Sequence, residues 1–391
     1  MNNKKTTKVS GFKRAMVKLL GNPKTQGAAI PIFSILVSLV AVSIMVMLFG
    51  KNPIDVFKSI MQGSGVLPKA VYASKKGMLT DFMAMLGILT PMIFASLAVA
   101  IAFKTGLFNI GVSGQMLISA FVATITVGYS DLPSVIAKPL VIIIGIAVGA
   151  LAGAVIGYLK YKFNVNEVVS SIMLNYIFAN LTSFFINSYF VNPVSRQSRY
   201  ISAASRLSIA NFEAFGLKMD LPLAFILTIP AALLVKYLFE KTKLGYELKA
   251  VGLNRNASKY AGMNVGKNIV LAMIISGAFA GAAGVTYYMG YFSSIQPKVL
   301  SNLGFDAIAV SLLGNSNPIG IIFSSLLITI ISRGSNYMSS SVGLQQEIAQ
   351  VITGLILLFT ACGVYIKHKV NIYKEEIADE ERALNKEGGK E

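Results

Sequence analysis

Long runs without a charged residue constrain the fold of this chain more than any other feature. These runs occupy residues 25–50, 82–103, 105–130, 139–159, 168–195, 268–291 and 348–366. Each is long enough to cross the roughly 30 Å hydrocarbon core of a bilayer, which takes about 20 helical residues. The chain has 391 residues, of which 54% are hydrophobic and 13% charged. No soluble domain of this size can hide so much apolar surface, so the sequence predicts an all-α polytopic membrane protein.

Two further regions bring the predicted number of transmembrane helices to about ten. A span from Leu221 to Phe239 is long enough if Lys236 snorkels towards the lipid headgroups. The stretch from Val299 to Arg333 is too short for two full spans and breaks at the Gly314–Pro318 segment, which reads GNSNP. We therefore expect two shortened, interrupted helices there, with both termini of the chain on the same side of the membrane.

The basic residues predict how these spans are oriented. The formal net charge is +18, and the lysines and arginines cluster between the apolar runs. This distribution follows the positive-inside rule and does not indicate nucleic-acid binding. The rule places a basic N-terminal segment at residues 1–24 and a charged tail at 367–391 in the cytoplasm. Between them lies a transmembrane domain at 25–366, with a cytoplasmic loop at 240–266.

The composition excludes several kinds of chemistry. The chain has one cysteine, Cys362, and one histidine, His368, which argues strongly against disulfides, a Cys/His metal site and Cys–His catalysis in the membrane. Residues 262–267 read GMNVGK and lack the Ser/Thr that ends an ATP-binding phosphate loop. We therefore expect no catalytic residue, no metal and no cofactor on this chain.

The cytoplasmic loop has the pattern of a helix followed by a second short helix. Leu244, Leu248 and Val251 recur at helical spacing, and Gly252 stands where a left-handed helix stop is expected. Such an apolar-faced element at the inner surface of the membrane suits docking of another protein. The alternative is an ordinary hairpin that lies on the lipid headgroups.

The second half of this loop carries its own start and stop signals. Asn254 or Asn256 can cap a short helical turn, and Gly262 can close it. Ala257, Tyr260 and Ala261 then share one face.

Three acidic residues fall where apolar spans are expected, namely Glu167, Asp306 and Glu347. Ionisable groups at membrane depth are costly, so they usually face a cavity or a charged partner. The asparagines of the fifth span are also polar groups at membrane depth. Their side-chain amides can either line a hydrophilic route or form hydrogen bonds between neighbouring helices. They are Asn166, Asn175, Asn180 and Asn187.

A glycine-rich polar segment, Lys104–Gln115, interrupts the apolar pattern. It predicts irregular backbone, which a membrane tolerates only beside a cavity or inside protein. The pattern Gly106-x3-Ile110-x-Val112-Ser113 recurs 198 residues later, starting at Gly304. Paired interrupted helices of this kind are typical of an inverted repeat around a substrate site.

Four blocks of this sequence resemble the permease subunits of bacterial ATP-binding-cassette importers, in the family that serves simple sugars, branched-chain amino acids and nucleosides. They are GLFNIGVSGQ at 106–115, NEVVSSIMLNY at 166–176, GYELKAVGLNRNASKYAGMNV at 245–265 and GFDAIAVSLLGNSNPIG at 304–320. The second is most similar to the nucleoside branch. The resemblance covers about residues 80–365 and leaves the two terminal segments unassigned.

The resemblance implies a ten-span permease of the bacterial cell membrane. Its partners would be a second permease, making a heterodimer, two cytoplasmic ATPase subunits or a fused ATPase, which bind ATP and Mg, and an extracytoplasmic substrate-binding lipoprotein. The 240–266 loop would couple the permease to the ATPase. The expected coupling residues are Gly245, Glu247, Leu248, Val251, Gly252, Asn254, Ala257, Tyr260 and Gly262. The expected pathway residues are Asn109, Ser113, Gln115, Glu167, Asn175 and Asp306.

Neutral amides and hydroxyls along the expected path favour an uncharged, hydrogen-bonding substrate. We expect nucleosides, purine more than pyrimidine. Simple sugars such as ribose satisfy the same chemistry and stay the runner-up. An ion-driven secondary transporter that uses Glu167, Asp306 and Glu347 is a further alternative, and an intramembrane enzyme is disfavoured because only carboxylates are available.

Overall fold

The computed structural model describes residues 10–22, 25–214 and 216–388, most of which are helical. The helices in chain order are α1 (Gly11–Leu20), α2 (Gln26–Leu48), α3 (Pro53–Gly63), α4 (Met78–Lys104), α5 (Val112–Ala123), α6 (Ser134–Phe163), α7 (Glu167–Phe185), α8 (Thr228–Lys241), α9 (Lys243–Leu253), α10 (Arg255–Tyr260), α11 (Val265–Thr286), α12 (Leu303–Leu313), α13 (Pro318–Val342), α14 (Ile348–Ala361) and α15 (Gly363–Gly388). Wider π-helical turns extend α5 to Gly128, α7 to Phe190 and α11 to Tyr291, and a 3₁₀ turn, Leu223–Leu227, precedes α8.

Eight helical segments of the described chain are long and apolar enough to cross a membrane. They are Ala29–Leu48, Met78–Lys104, Ser134–Phe163, Glu167–Phe190, Leu223–Lys241, Val265–Tyr291, Pro318–Val342 and Gln350–Glu380. Two shorter apolar helices, Val112–Gly128 and Leu303–Leu313, accompany them. This confirms an all-α polytopic membrane protein, while the count of ten spans and the side of the termini stay predictions.

The region expected to hold two shortened helices contains only one. Helix α12 has 11 residues, but α13 has 25 and is a full-length span. It reaches that length because it continues beyond Arg333 as far as Val342, where the sequence stays uncharged. Asn317 starts α13 by accepting a hydrogen bond from the Ile319 amide at 3.0 Å.

A β-hairpin precedes α8, and the sequence did not predict it. Strands β1 (Ser208–Ala214) and β2 (Leu217–Pro222) pair antiparallel, with an irregular register between Ile209 and Phe212. The amide of Lys218 in β2 donates to the carbonyl of Lys75 at 2.8 Å, which ties the hairpin to the segment before α4.

Residues Ile54–Ala349 form one compact unit around α4 and α11. In α4 every residue from Leu89 to Ala102 is buried. Helices α6 and α11 pack closely through small residues. Glycines recur four residues apart in α6 at 145, 149, 153 and 157, and Gly149 opposes Gly277 so tightly that neither tolerates a β-carbon without a backbone shift. Such contacts hold membrane helices together by close backbone approach.

The described residues of Met1–Pro53 and Gln350–Glu391 form a second unit. Within it α1 packs against α15, and Leu20, Ile30 and Val370 make a small buried cluster. Lys13 Nζ lies 2.7 Å from a Glu376 carboxylate oxygen, and this hydrogen bond raises the pKa of Lys13. The basic segment before α2 and the charged tail, two segments outside the recognised family pattern, therefore contact each other.

Candidate functional site

The 240–266 loop folds as the expected pair of helices, α9 and α10. Thr242 starts α9 by accepting a hydrogen bond from the Gly245 amide at 3.0 Å. Leu248 and Val251 are buried, so the apolar face of α9 packs inwards. Glu247 accepts a hydrogen bond from the side-chain amide of Asn268 at 3.0 Å, which joins α9 to the first turn of α11. The segment is thus anchored to the rest of the compact unit by α9 and by the start of α11.

Helix α10 presents its outer side to solvent. Asn254 is the cap, because its side chain accepts a hydrogen bond from the Ala257 amide at 3.0 Å. Gly262 ends the turn with φ +79°, as expected from the sequence. Ala257 is exposed, and Tyr260 and Leu253 are 94% and 88% exposed. Leu253, the last residue of α9, and Tyr260 therefore both lie outside the packed interior of the described chain.

The predicted role of Gly252 as a left-handed helix stop is wrong. Gly252 lies inside α9, and its φ is not positive. A glycine is needed for a different reason, since a β-carbon here would run into the carbonyl oxygen of Lys104. Arg255 adds a second link, as its guanidinium donates to the carbonyl of Gly106 at 3.2 Å. The α9–α10 segment therefore rests directly on the break between α4 and α5.

Asn109 and Gln115 form a buried amide network at this break. The Asn109 side-chain NH2 donates to Gln115 Oε1 at 3.1 Å and to Ser276 Oγ at 2.9 Å. Ser276 Oγ in turn donates to the Ala98 carbonyl at 2.7 Å. This network connects α4, α5 and α11, and it satisfies polar groups that would be costly if left unpaired in an apolar interior.

Asn175 in α7 forms hydrogen bonds to the backbone around the start of α5. Its Oδ1 accepts a hydrogen bond from the Gly114 amide at 2.9 Å, and its Nδ2 donates to the Ile110 carbonyl at 3.1 Å. The first amides of a helix have no partner within the helix, so α5 relies on a side chain of α7. Asn175 is 97% buried in the described chain, and its known partners are both backbone groups.

Ser113 brings the two sequence-matched segments together. Its Oγ donates to the Ser301 carbonyl at 2.8 Å, just before α12. Gly304 in the first turn of α12 packs on Ser113 without room for a β-carbon. The short helices α5 and α12 therefore begin against each other.

The three acidic residues have different environments. Glu167 begins α7 and pairs with Lys160 Nζ at 2.9 Å, so its charge is compensated at a helix end. Glu347 lies in an exposed turn before α14 and not inside a span. Asp306 is partly buried in the first turn of α12, and its carboxylate makes no ion pair or hydrogen bond within the part of the chain that the structure describes. Of these three acidic residues, Asp306 is therefore the one that lies inside an apolar helix without an ion pair among the described residues.

Three residues that form the contacts of this site were not predicted from the sequence. Arg255, Ser276 and Ser301 complete the contacts above, yet each is an ordinary residue type in an unremarkable local context. Their partners are far away in the sequence; Asn109 and Ser276, for example, are 167 residues apart. A single sequence carries no signal for such pairs.

Comparison with known proteins identifies the class. Residues 82–361 match the family described as branched-chain amino acid transport system / permease component. The chain is 33% identical over 377 residues to the nucleoside ABC transporter permease protein NupB of Lactococcus lactis subsp. cremoris, covering 94% of this chain and 100% of that protein. It is 37% identical over 293 residues to the guanosine ABC transporter permease protein NupP of Bacillus subtilis, covering 74% and 84%. NupC, a second nucleoside permease of the same Lactococcus strain, is 26% identical over 241 residues, covering 61% and 76%.

These findings define the chain first as a multi-pass transport protein of the cell membrane. More specifically, the chain belongs to the permease family that its residues 82–361 match. The resemblance seen in the four sequence blocks is thereby confirmed.

Proposed function

We propose that this chain is the membrane-spanning subunit of an ATP-driven importer of nucleosides. The similarity to NupB over almost the whole of both proteins carries this proposal. The buried amides and hydroxyls at the α4–α5 break suit an uncharged solute, because none of them offers the cationic clamp that an anion requires.

In this proposal the exposed side of α10 is the surface that docks on a cytoplasmic ATPase. Leu253 and Tyr260 would enter an apolar groove of that partner, with Arg255 and Lys259 beside them for its acidic groups. ATP and Mg would bind to the ATPase subunits or to a fused ATPase. The inward face, with Gly245, Leu248 and Val251, would transmit the movement of the ATPase to the permease.

A continuous set of contacts supports this route of transmission. Gly252 touches the backbone at Lys104, and Arg255 bonds Gly106. Six residues further along the chain, the start of α5 touches Ser301 and Gly304 through Ser113. We therefore propose that a displacement of α9 relative to α4 reaches the α5–α12 junction through these contacts.

We place the translocation pathway beside this junction. Asn109, Gln115 and Asn175 hold the break together in the conformation described, and a pathway would open where these bonds are exchanged for bonds to substrate. Asp306 is the candidate whose carboxylate is free for a solute. Glu167 is less suited to touch substrate because Lys160 already holds it. The same pairing, and the exposed position of Glu347, weaken the ion-driven alternative.

We propose three kinds of partner for this permease. The Lactococcus relatives NupB and NupC, both named nucleoside permeases, support a second, different permease as its membrane partner. An ATPase and an extracytoplasmic substrate-binding lipoprotein complete the importer.

The experiment is uptake of labelled guanosine, uridine and ribose by cells with and without this gene, in the presence and absence of an uncoupler. The expected result is gene-dependent uptake of the two nucleosides that persists while ATP is present and the ion gradients are collapsed. If cells without the gene lose ribose uptake but keep nucleoside uptake, the chain belongs to a sugar importer instead. Uptake that collapses with the ion gradient would establish a secondary transporter.

A further inference from the structure

A small cavity lies at the end of α11 opposite to the coupling segment. Helix α11 starts at Val265, immediately after α10, and with its π-helical turn continues for 27 residues to Tyr291, which spans about 40 Å. The cavity is formed where this end of α11 meets the chain at Gln197 and the segment 292–301. It therefore lies on the face of the permease turned away from the α9–α10 segment.

The walls of the cavity combine aromatic rings with neutral polar groups. Tyr287, Tyr288 and Phe292 provide rings, and Tyr287 meets Phe292 edge-to-face at 5.0 Å between centroids. Gln197, Ser294 and Gln296 provide amides and a hydroxyl. Ser294 Oγ donates to Gln197 Oε1 at 2.6 Å, while the NH2 of Gln197 donates no hydrogen bond to any other described residue. Among the described lining residues none is charged.

Size and chemistry restrict what fits. The cavity measures about 100 Å³, well below the roughly 300–1,000 Å³ of sites that enclose a whole small molecule. It suits one ring system rather than a complete ligand. Aromatic walls favour a flat face that can stack, and amides favour a ring with hydrogen-bonding edges. The mouth is accessible, since Phe292 and Val299 are 44% and 45% exposed.

We propose that this cavity is a subsite for the base of the nucleoside, which stacks on the tyrosine and phenylalanine rings and bonds the free amide of Gln197, while the sugar stays outside. This inference rests on the proposed function and adds to it a place where the permease itself recognises the substrate. The cavity is joined to the rest of the pathway, because Ser301 lines it and accepts the hydrogen bond from Ser113.

Tryptophan fluorescence can test the subsite, because the chain contains no tryptophan. Phe292→Trp places a single indole at the mouth of the cavity, and the full-length permease in nanodiscs is titrated with guanosine, uridine and ribose. Guanosine is expected to quench the indole saturably, and ribose is not. Adding Gln197→Leu should raise the apparent Kd for guanosine roughly 2- to 10-fold, the loss of affinity expected for one hydrogen bond.

Two further variants keep the outcome decisive. Phe163→Trp puts the indole at the exposed end of α6 and should show no saturable quenching. Val299→Trp probes the other side of the mouth if Phe292→Trp does not accumulate. Absence of quenching at 292 and 299, equal quenching at 163, or equal titration by ribose would overturn the subsite. The uptake experiment above separates this result from the proposed function, since gene-dependent guanosine uptake without quenching would leave the importer standing and remove only the cavity.

Discussion

Gly252 and Gly106 lie backbone against backbone, so that a β-carbon added to Gly106 would come within 3.0 Å of the Gly252 carbonyl oxygen. Gly106 also has φ +68°, a conformation that other residues adopt only with strain. The contact joins the candidate ATPase-docking segment to the irregular stretch before α5. If the docking segment moves relative to the stretch before α5, this contact between Gly252 and Gly106 must change.

Replacing Gly252 by alanine tests this contact. The added methyl group would press on the Lys104 carbonyl, and overpacking of this kind costs about 1–3 kcal/mol. We expect lower ATP-dependent uptake and a lower thermal unfolding temperature in detergent. Gly354→Ala in α14 is the control, because nothing lies within 4 Å of its β-carbon position. Equal uptake by both variants would show that the contact is dispensable.

Tyr260→Asp tests docking without disturbing the fold. The side chain is 94% exposed, so the carboxylate should leave stability unchanged while it prevents burial in an apolar groove of the ATPase. Co-purification of the ATPase with the permease is expected to fall. Tyr200→Asp, also at an exposed tyrosine but in the 191–220 loop, should keep the ATPase bound. If Tyr260→Asp retains it equally, α10 is not the docking surface.

Asn175→Ala removes the two bonds that hold the start of α5. The Gly114 amide and the Ile110 carbonyl would lose their partner, and an unsatisfied buried group costs about 1–3 kcal/mol. We expect a clear drop in the unfolding temperature. Asn180→Ala is a matched control in the same helix, because Asn180 is exposed and its side chain bonds a single described residue, through the carbonyl of Tyr176. Similar effects of the two changes would contradict the role assigned to Asn175.

The α6–α11 contact predicts that alanine substitutions at two nearby glycines have very different effects on folding. Gly277→Ala would drive a methyl group into the Gly149 carbonyl, so we expect poor accumulation in the membrane and reduced stability. Gly290→Ala should be tolerated because the nearest heavy atom would be 3.6 Å away, an ordinary contact distance. The measurement is the amount of folded protein by size-exclusion chromatography. Normal yield of Gly277→Ala would refute the tight packing.

The orientation in the membrane is tested by cysteine labelling. Cys362 is the single cysteine and is exposed, so Cys362→Ala provides a clean background. A cysteine at Ser341 should react with an impermeant reagent in intact cells, and one at Asn256 only after permeabilisation. Both positions are exposed, whereas the neighbouring Ser258 is buried and would be a poor reporter. Labelling of Asn256→Cys in intact cells would invert the proposed topology.

The spans were predictable because a bilayer imposes a simple requirement, about 20 apolar residues for each crossing. The cap at Asn254 and the stop at Gly262 were also predictable, since both act within a few residues of their position. The true reason for Gly252 was not, because its contact partner, Lys104, belongs to another helix. The same holds for Asn175, whose two backbone partners lie in the α4–α5 break and at the start of α5.

The hairpin at 208–222 was missed for a related reason. Its strands have no clean alternation, and their register is irregular between Ile209 and Phe212, so a local pattern could not distinguish them from a loop. The extra length of α13 was missed because Arg333 was taken as the end of a span. In the structure α13 continues through Arg333, and its guanidinium lies 3.4 Å from the Tyr291 hydroxyl.

The meeting of α5 and α12 at Ser113 and Gly304 has an electrostatic consequence. Each helix carries a partial positive charge at its N-terminus, equivalent to roughly half an elementary charge. Two such ends brought together in apolar surroundings would repel each other if nothing negative stood nearby. Asp306 occupies the first turn of α12, where a carboxylate is most favourable to a helix dipole. We therefore expect Asp306, an acidic residue in an apolar helix, to act as a counter-charge to the helix dipoles where α5 and α12 begin.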